Sequence, residues 1–139
     1  MIKVRNNGEV LVQLRKAGTQ SAANDVDAFV VPFASRISAI YGKLGTAGVT
    51  SSQINDINLN GTTIFSASAK QTFATTDVVP SYSALTTDPT VLAKGDIISL
   101  DIDSVHSTPG VNLSIWVVLQ RLKASGKAMV SDGIGPENE

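Results

Sequence analysis

The chain contains no cysteine, a single histidine, a single tryptophan and only 17% charged residues. Without cysteine there is no disulfide framework and no thiolate zinc site, and the redox compartment stays undetermined. With His106 as the only histidine, no second imidazole is spaced for zinc, and no serine–histidine–carboxylate constellation follows from its position. A net charge of −1 supplies no global field to draw in nucleic acid or an anionic membrane. Basic residues do not interleave with aromatics, which also argues against single-stranded nucleic acid. No apolar run approaches the roughly 20 residues of a membrane span, and the first residues lack the apolar core of a signal peptide. Nowhere does a period of 3.6 run beyond two turns, so a helical body is not expected.

What is present is alternation. In residues 95–122, Ile98, Leu100 and Ile102 share one face, with Ser99, Asp101 and Asp103 on the other. Leu113, Ile115, Val117 and Leu119 repeat the pattern, with Ser114, Trp116, Val118 and Gln120 opposite. A period of two is how a half-buried strand reads. Ser107-Thr108-Pro109-Gly110 stands where a chain reversal needs Pro and Gly, so this pair is expected to be the central hairpin of an antiparallel domain.

Earlier in the chain, Ile2 and Val4 alternate with Lys3 and Arg5, Asn6-Asn7-Gly8 suits a turn, and Val10, Val12 and Leu14 resume the alternation. A lone hairpin of this kind is marginal in water, so its apolar face is expected to lie on its own sandwich or on a neighbouring molecule. Lys3, Arg5, Arg15 and Lys16 against Glu9 make this segment basic, while Asp132, Glu137 and Glu139 make the end acidic. Residues 17–27 are small and polar and read as a linker. Residues 28–33 form an expected edge strand broken at Pro32. Residues 36–44 form another, placing Ile37, Ala39 and Tyr41 on one face and Ile40 opposite.

The glycines at 42, 45 and 48 match neither phosphate-loop spacing, so they read as a loop between strands. Asn60-Gly61 is a strong hairpin signal between residues 53–60 and 62–67, with Ile57, Leu59, Ile64 and Phe65 as core anchors and Asn55, Asn58 and Asn60 as an amide-rich edge. Residues 70–83 hold a short strand with Phe73, and residues 123–139 lose the alternation. The expected architecture is therefore all-β, an antiparallel sandwich of about eight strands over residues 25–123. An N-terminal hairpin and linker (1–24) precede it and a flexible C-terminal tail (124–139) follows.

Chemistry-bearing candidates are sparse. Asp101 and Asp103, with Asp96 and Asp56 nearby in pattern, could ligate calcium or serve as a glycosidase pair; the preferred reading is that they keep an outer face wet. His106 is expected to be a solvated turn residue. Trp116 and Val118 lie on the nominally outer face, which implies coverage by an arm, a subunit contact or an aromatic platform for sugar. The triplets Asn60-Gly61-Thr62 and Asn112-Leu113-Ser114 match the glycosylation pattern but carry no weight without a signal peptide.

The order Asp56-Ile57-Asn58-Leu59-Asn60-Gly61-Thr62-Thr63-Ile64-Phe65, then Gly95-Asp96 through Asp103, then Leu113 to Arg121, resembles a domain of tailed-bacteriophage structural proteins. The likeness covers about residues 28–122. It implies a jelly-roll sandwich of the capsid decoration (cement) or head-fibre type, with no enzyme activity and no cofactor. By that resemblance the chain sits on the outer capsid surface of a virion as a homotrimer, bridging copies of the major capsid protein, with no nucleic acid or membrane partner. Expected contact residues are Ile2, Val4, Val10, Val12, Leu14, Trp116 and Val118, with Lys3, Arg5, Arg15 and Lys16 as basic arm contacts. The alternative is a module of a tail or head fibre that binds a surface glycan or a host receptor.

Overall fold

Among the described residues, nine strands, all paired antiparallel, form two sheets packed face to face. The computed structural model describes residues 8–66, 70–81 and 90–122. The strands are β1 (Glu9–Thr19), β2 (Ala23–Val30), β3 (Ser35–Thr46), β4 (Gln53–Leu59), β5 (Thr62–Thr63), β6 (Gln71–Phe73), β7 (Thr90–Leu92), β8 (Ile97–Ser104) and β9 (Val111–Arg121). One sheet runs β1-β9-β3-β7. The other runs β2-β8-β4-β5, with β6 also paired to β4. The chain is a β-sandwich, as the alternation predicts.

The two strongest alternating strands do form, but they are not partners. β8 lies between β2 and β4, whereas β9 lies between β1 and β3 in the opposite sheet. The expected central hairpin is thus a connection that crosses the end of the sandwich. Ser107 and Thr108 donate to the carbonyls of Thr50 and Val49, so the crossing segment is pinned to the loop after β3 rather than folded into a tight turn. Alternation reports which face of a strand is buried, and both faces here are buried in one interior. It does not report which strand lies beside which.

That interior is apolar and closely filled. Leu14, Ile37, Leu44, Leu113, Ile115, Val117 and Leu119 from the first sheet meet Ile57, Phe73, Ile98, Leu100 and Ile102 from the second, each at most 1% exposed. A fully buried side chain of this size contributes about 1.5–3 kcal/mol relative to leaving it in water. The Asn60-Gly61 hairpin forms as expected between β4 and β5. Both turn residues have positive φ, 50° and 88°, the geometry that Asn-Gly accepts.

Three further expectations change. Residues 17–27 are not a free linker, because they hold the end of β1 and the first half of β2. Apolar side chains are scarce there because both are edge strands. Glu9–Thr19 pairs along its length with β9 of its own domain, so the expected N-terminal arm contributes an edge strand of the sandwich. In β3 the register slips between Ile37 and Ala39, leaving Ser38 as an extra, bulged residue. Ile37 therefore faces inward opposite Leu119, while Tyr41 turns outward opposite Trp116 and Ile40 lies opposite Val117. The shared face expected for Ile37, Ala39 and Tyr41 is broken by that one residue.

Asn55 and Asn58 are not on an edge. β4 is central, and the two are 0% and 7% exposed. Gln53 and Asn55 join Gln20 and Gln71 in a buried amide chain. Gln53 Nε2 donates to Gln20 Oε1 (3.2 Å) and Asn55 Oδ1 (3.0 Å), and Asn55 Nδ2 donates to Gln71 Oε1 (3.0 Å). Gly42 leaves the room this chain needs, since a Cβ there would stand 2.8 Å from the Gln71 amide. The bonds among these amides offset much of the cost of burying them, while Gln53 Oε1 is left without a hydrogen-bond partner.

Candidate functional site

Two surfaces and one cleft gather the chemistry-bearing side chains. The first surface is the outer face of β8 and β4. Asp56 and Asp101 stand directly opposite in the ladder, an unfavourable like-charge pair by itself. The carboxylates of Asp56, Asp101 and Asp103 lie within 4.8 Å of one another. The sequence reading paired Asp101 with Asp103 and left Asp56 as a partner from another strand, and the fold brings all three together.

Lys70 answers part of this charge. Its ammonium bonds Asp103 Oδ2 at 2.8 Å and Asp56 Oδ2 at 3.1 Å. Asn58 Nδ2 donates to Asp101 Oδ2 (2.7 Å), the Asp25 backbone N–H donates to Asp101 Oδ1 (2.8 Å), and the Thr63 hydroxyl donates to Asp56 Oδ1. The position a cation would take between Asp56 and Asp103 is held by the lysine, and Asp56 Oδ1 and both Asp101 oxygens accept protein donors. No signal in the sequence marked Lys70, which lies far from the aspartates along the chain.

Hydrogen bonds to Asp103 first and Asp56 second hold the Lys70 pKa above its ordinary 10.5, against an opposing desolvation. Asp96 is held below its ordinary 3.8, first by the Ala93 backbone N–H (2.8 Å) and then by the Asn60 side chain (3.1 Å). The raised lysine stabilises the fold fully below pH 10.5 and loses that contribution as pH climbs through its raised value. The depressed aspartate contributes above pH 3.8 and loses it as pH falls through its lowered value. From these two groups stability is flat between the two limits.

Replacing Lys70 by alanine leaves Asp56, with a side chain 8% exposed, facing Asp101 uncompensated. The expected loss is about 1–2 kcal/mol in urea unfolding at pH 7, below that of a fully buried pair because the lysine is partly solvated. Added calcium should leave the melting temperature of the natural chain unchanged, since Lys70 already occupies the cluster. A calcium-dependent rise would show that the ammonium gives way.

The second surface is the outer face of the β1-β9-β3 sheet. Gln13, Trp116 and Tyr41 form one cross-strand row; Leu11, Val118 and Ala39 form the next; Arg15, Ser114 and Lys43 form the third. Leu11 is 60% exposed and Tyr41 49%, while Trp116 and Val118 are half-buried. Trp116 and Val118 therefore stand on the outer face as the alternation predicts. Tyr41 joins them only through the bulge at Ser38, so no period of two could have placed it there. Of the other expected contact residues, Leu14 is buried in its own core, Val12 packs against that core, and Val10 keeps an exposed flank. Arg15 is exposed and Lys16 half-buried. Ile2, Lys3, Val4 and Arg5 lie outside the described residues, as does the tail beyond Leu122.

The cleft, of about 320 Å³, runs along Ser38, Ala39, Ile40, Tyr41 and Gly42 and is closed by Phe65, Gln71, Val79, Pro80 and Ser81. Its walls are mostly apolar, with the Gln71 amide at the end of the buried amide chain. Tyr41 is the only titratable side chain among these residues.

His106 is not solvated, contrary to the sequence reading. It is 1% exposed, with Nε2 3.1 Å from the Ala74 carbonyl and its ring against Gly48. It belongs to the crossing segment between β8 and β9, and its ring packs that segment against the loop after β3. No family model, no curated protein and no solved structure matches the chain.

Proposed function

We propose that this chain is a non-enzymatic capsid decoration (cement) protein of the tailed-bacteriophage type. In this reading its fold is a jelly roll, and a homotrimer bridges copies of the major capsid protein on the outer surface of the virion. The order β1-β9-β3-β7 facing β2-β8-β4-β5 supports the jelly-roll reading, because two interleaved Greek keys generate that alternation between sheets.

The observation that carries the role is where the two ends of the body lie. The Arg121 N–H donates to the Gly8 carbonyl at 2.8 Å, so the first and last described residues of the body lie beside one another at one corner of the β1-β9 sheet. In this reading the basic sequence before Gly8 and the acidic sequence after Leu122, joined to the body at one corner, reach neighbours without enlarging its core. Many weak arm contacts across a repeating shell add up to firm attachment. Ile2, Lys3, Val4 and Arg5 are the arm contacts in this reading, and Trp116 with Val118 offers a second surface.

The test is co-sedimentation of the purified chain with tailed-phage heads lacking it. The full chain is expected to pellet in fixed ratio to the capsid subunit, and removal of residues 1–7 to weaken binding about 10-fold or more. The deletion stops there because Glu9–Thr19 belongs to the sandwich. A chain that stays in the supernatant at every ratio is not a decoration protein.

A glycan-binding module is the second reading. Trp116 directly opposite Tyr41, beside Gln13 and Ser114, is an aromatic pair with polar neighbours on an open face. Sugar-dependent change in the fluorescence of Trp116 would favour it over attachment to heads.

A further inference from the structure

We infer that the cleft beside β3 is a binding site for a small, neutral, largely apolar molecule that carries a carbonyl oxygen. The inference goes beyond the decoration role and does not depend on it.

The polarity of the cleft floor is set from a distance. Gln20 Nε2 donates to the backbone carbonyls of Lys16 (2.9 Å) and Gly18 (3.1 Å), which fixes the nitrogen end of that amide. Gln20 Oε1 therefore accepts from Gln53 Nε2, which also donates to Asn55 Oδ1, and Asn55 Nδ2 donates in turn to Gln71 Oε1. This direction leaves the Gln71 amide nitrogen to spare, and no acceptor among the described residues takes it. Gln71 is 4% exposed, and a Cβ on Gly42 would stand 2.8 Å from Gln71 Nε2, so the nitrogen lies against the β3 wall of the cleft. It is not sealed in. Among the described residues the sealed polar atoms without a partner are Ser35 Oγ, Gln53 Oε1 and His106 Nδ1. A donor on so buried a side chain, opening on a cleft, calls for an acceptor there.

The edge of β3 adds backbone groups to the same wall. Arg121 bonds toward β1, so the odd-numbered residues of β9 face β1 and the even-numbered ones face β3. Ile40 and Gly42 stand opposite Val117 and Ile115, and their N–H and C=O groups therefore point away from β9. Leu44 does the same, donating its N–H to the Val78 carbonyl at 2.9 Å. β7 pairs only with Ser35–Ile37, so among the described residues no strand covers this edge between Ile37 and Leu44.

Phe65, Val79 and Pro80 supply the apolar side, and no described lining residue carries a charge at neutral pH. An ion entering the cleft would lose hydration without meeting a counter-charge. A neutral ring instead lays its apolar body on Phe65, Val79 and Pro80 and its carbonyl oxygen on Gln71 Nε2. The volume of about 320 Å³ is at the lower end of the roughly 300–1,000 Å³ of small-molecule pockets, which suits one substituted ring.

The test titrates the full, nitrogen-15-labelled chain with acetophenone, and separately with ethylbenzene, which has a methylene where acetophenone has its carbonyl. Acetophenone is expected to shift the Gln71 side-chain amide and the Ile40 and Gly42 backbone amides saturably, with a millimolar dissociation constant. Ethylbenzene should bind about 3- to 10-fold more weakly, the worth of one hydrogen bond. Gln71→Glu keeps the oxygen that accepts from Asn55 and removes the donor, so it should abolish the preference for acetophenone. Should that variant fail to fold, the two ligands on the natural chain decide the matter alone. The inference is overturned if acetophenone gives no saturable shift at Gln71, if ethylbenzene binds as tightly, or if a folded Gln71→Glu chain keeps the preference.

Discussion

Replacing Gly48 by alanine is expected to cost the fold about 3 kcal/mol or more, measured as a lowered urea midpoint with an unchanged slope. A Cβ at this position would stand 2.2 Å from His106 Nδ1 and 2.3 Å from Cγ, well inside contact distance. The imidazole has nowhere to retreat. It is 1% exposed, and its Nε2 is engaged by the Ala74 carbonyl. Gly48 is itself tied on both sides, its carbonyl accepting the Thr76 N–H at 2.8 Å while the neighbouring Val49 pairs with Thr108. The alanine must therefore expel the ring or pry the crossing segment from the loop after β3, and either move opens that end of the sandwich. The paired variant Gly48→Ala with His106→Ala should recover part of the loss, because the clash is removed while the packing is not restored. If Gly48→Ala alone is as stable as the natural chain, the close approach of the two loops is wrong.

Truncating Leu100 or Ile115 to alanine should cost about 2–4 kcal/mol each, against a total stability of roughly 5–15 kcal/mol for a domain of this kind. Both side chains are 0% exposed, and they line the same interior from the central strands of opposite sheets. Thermal and denaturant unfolding of the two single variants should each remain one cooperative transition, because neither sheet has another surface on which to bury its apolar face. The outward neighbour of Ile115 makes the contrast. Ser114→Ala, one residue away on the same strand and half-buried, should fall within about 1 kcal/mol of the natural chain. Equal losses at inward and outward positions would mean that the strands do not divide the protein into a buried and a wet side as described.

The amino-acid order was sufficient for the fold class and for most side-chain facings. Ile98, Leu100, Ile102 and the Leu113–Leu119 row are all buried where alternation put them, and Asn60-Gly61 turns where its tolerance of positive φ allows. These are local properties, since burial on one face and backbone freedom at one turn are written within a few residues. What tertiary structure alone decided is adjacency. β8 and β9 went to opposite sheets, the bulge at Ser38 moved Tyr41 beside Trp116, and Lys70 reached across to Asp56 and Asp103. The same holds for His106 and the Asn55 amide chain, whose polar atoms are buried only because distant segments close over them or bond to them. A period of two records which side of a strand avoids water, and it is silent on which other strand supplies the shelter. That choice is made by the joint packing of both sheets, and with it come the groupings of charge and aromatic rings on the surface.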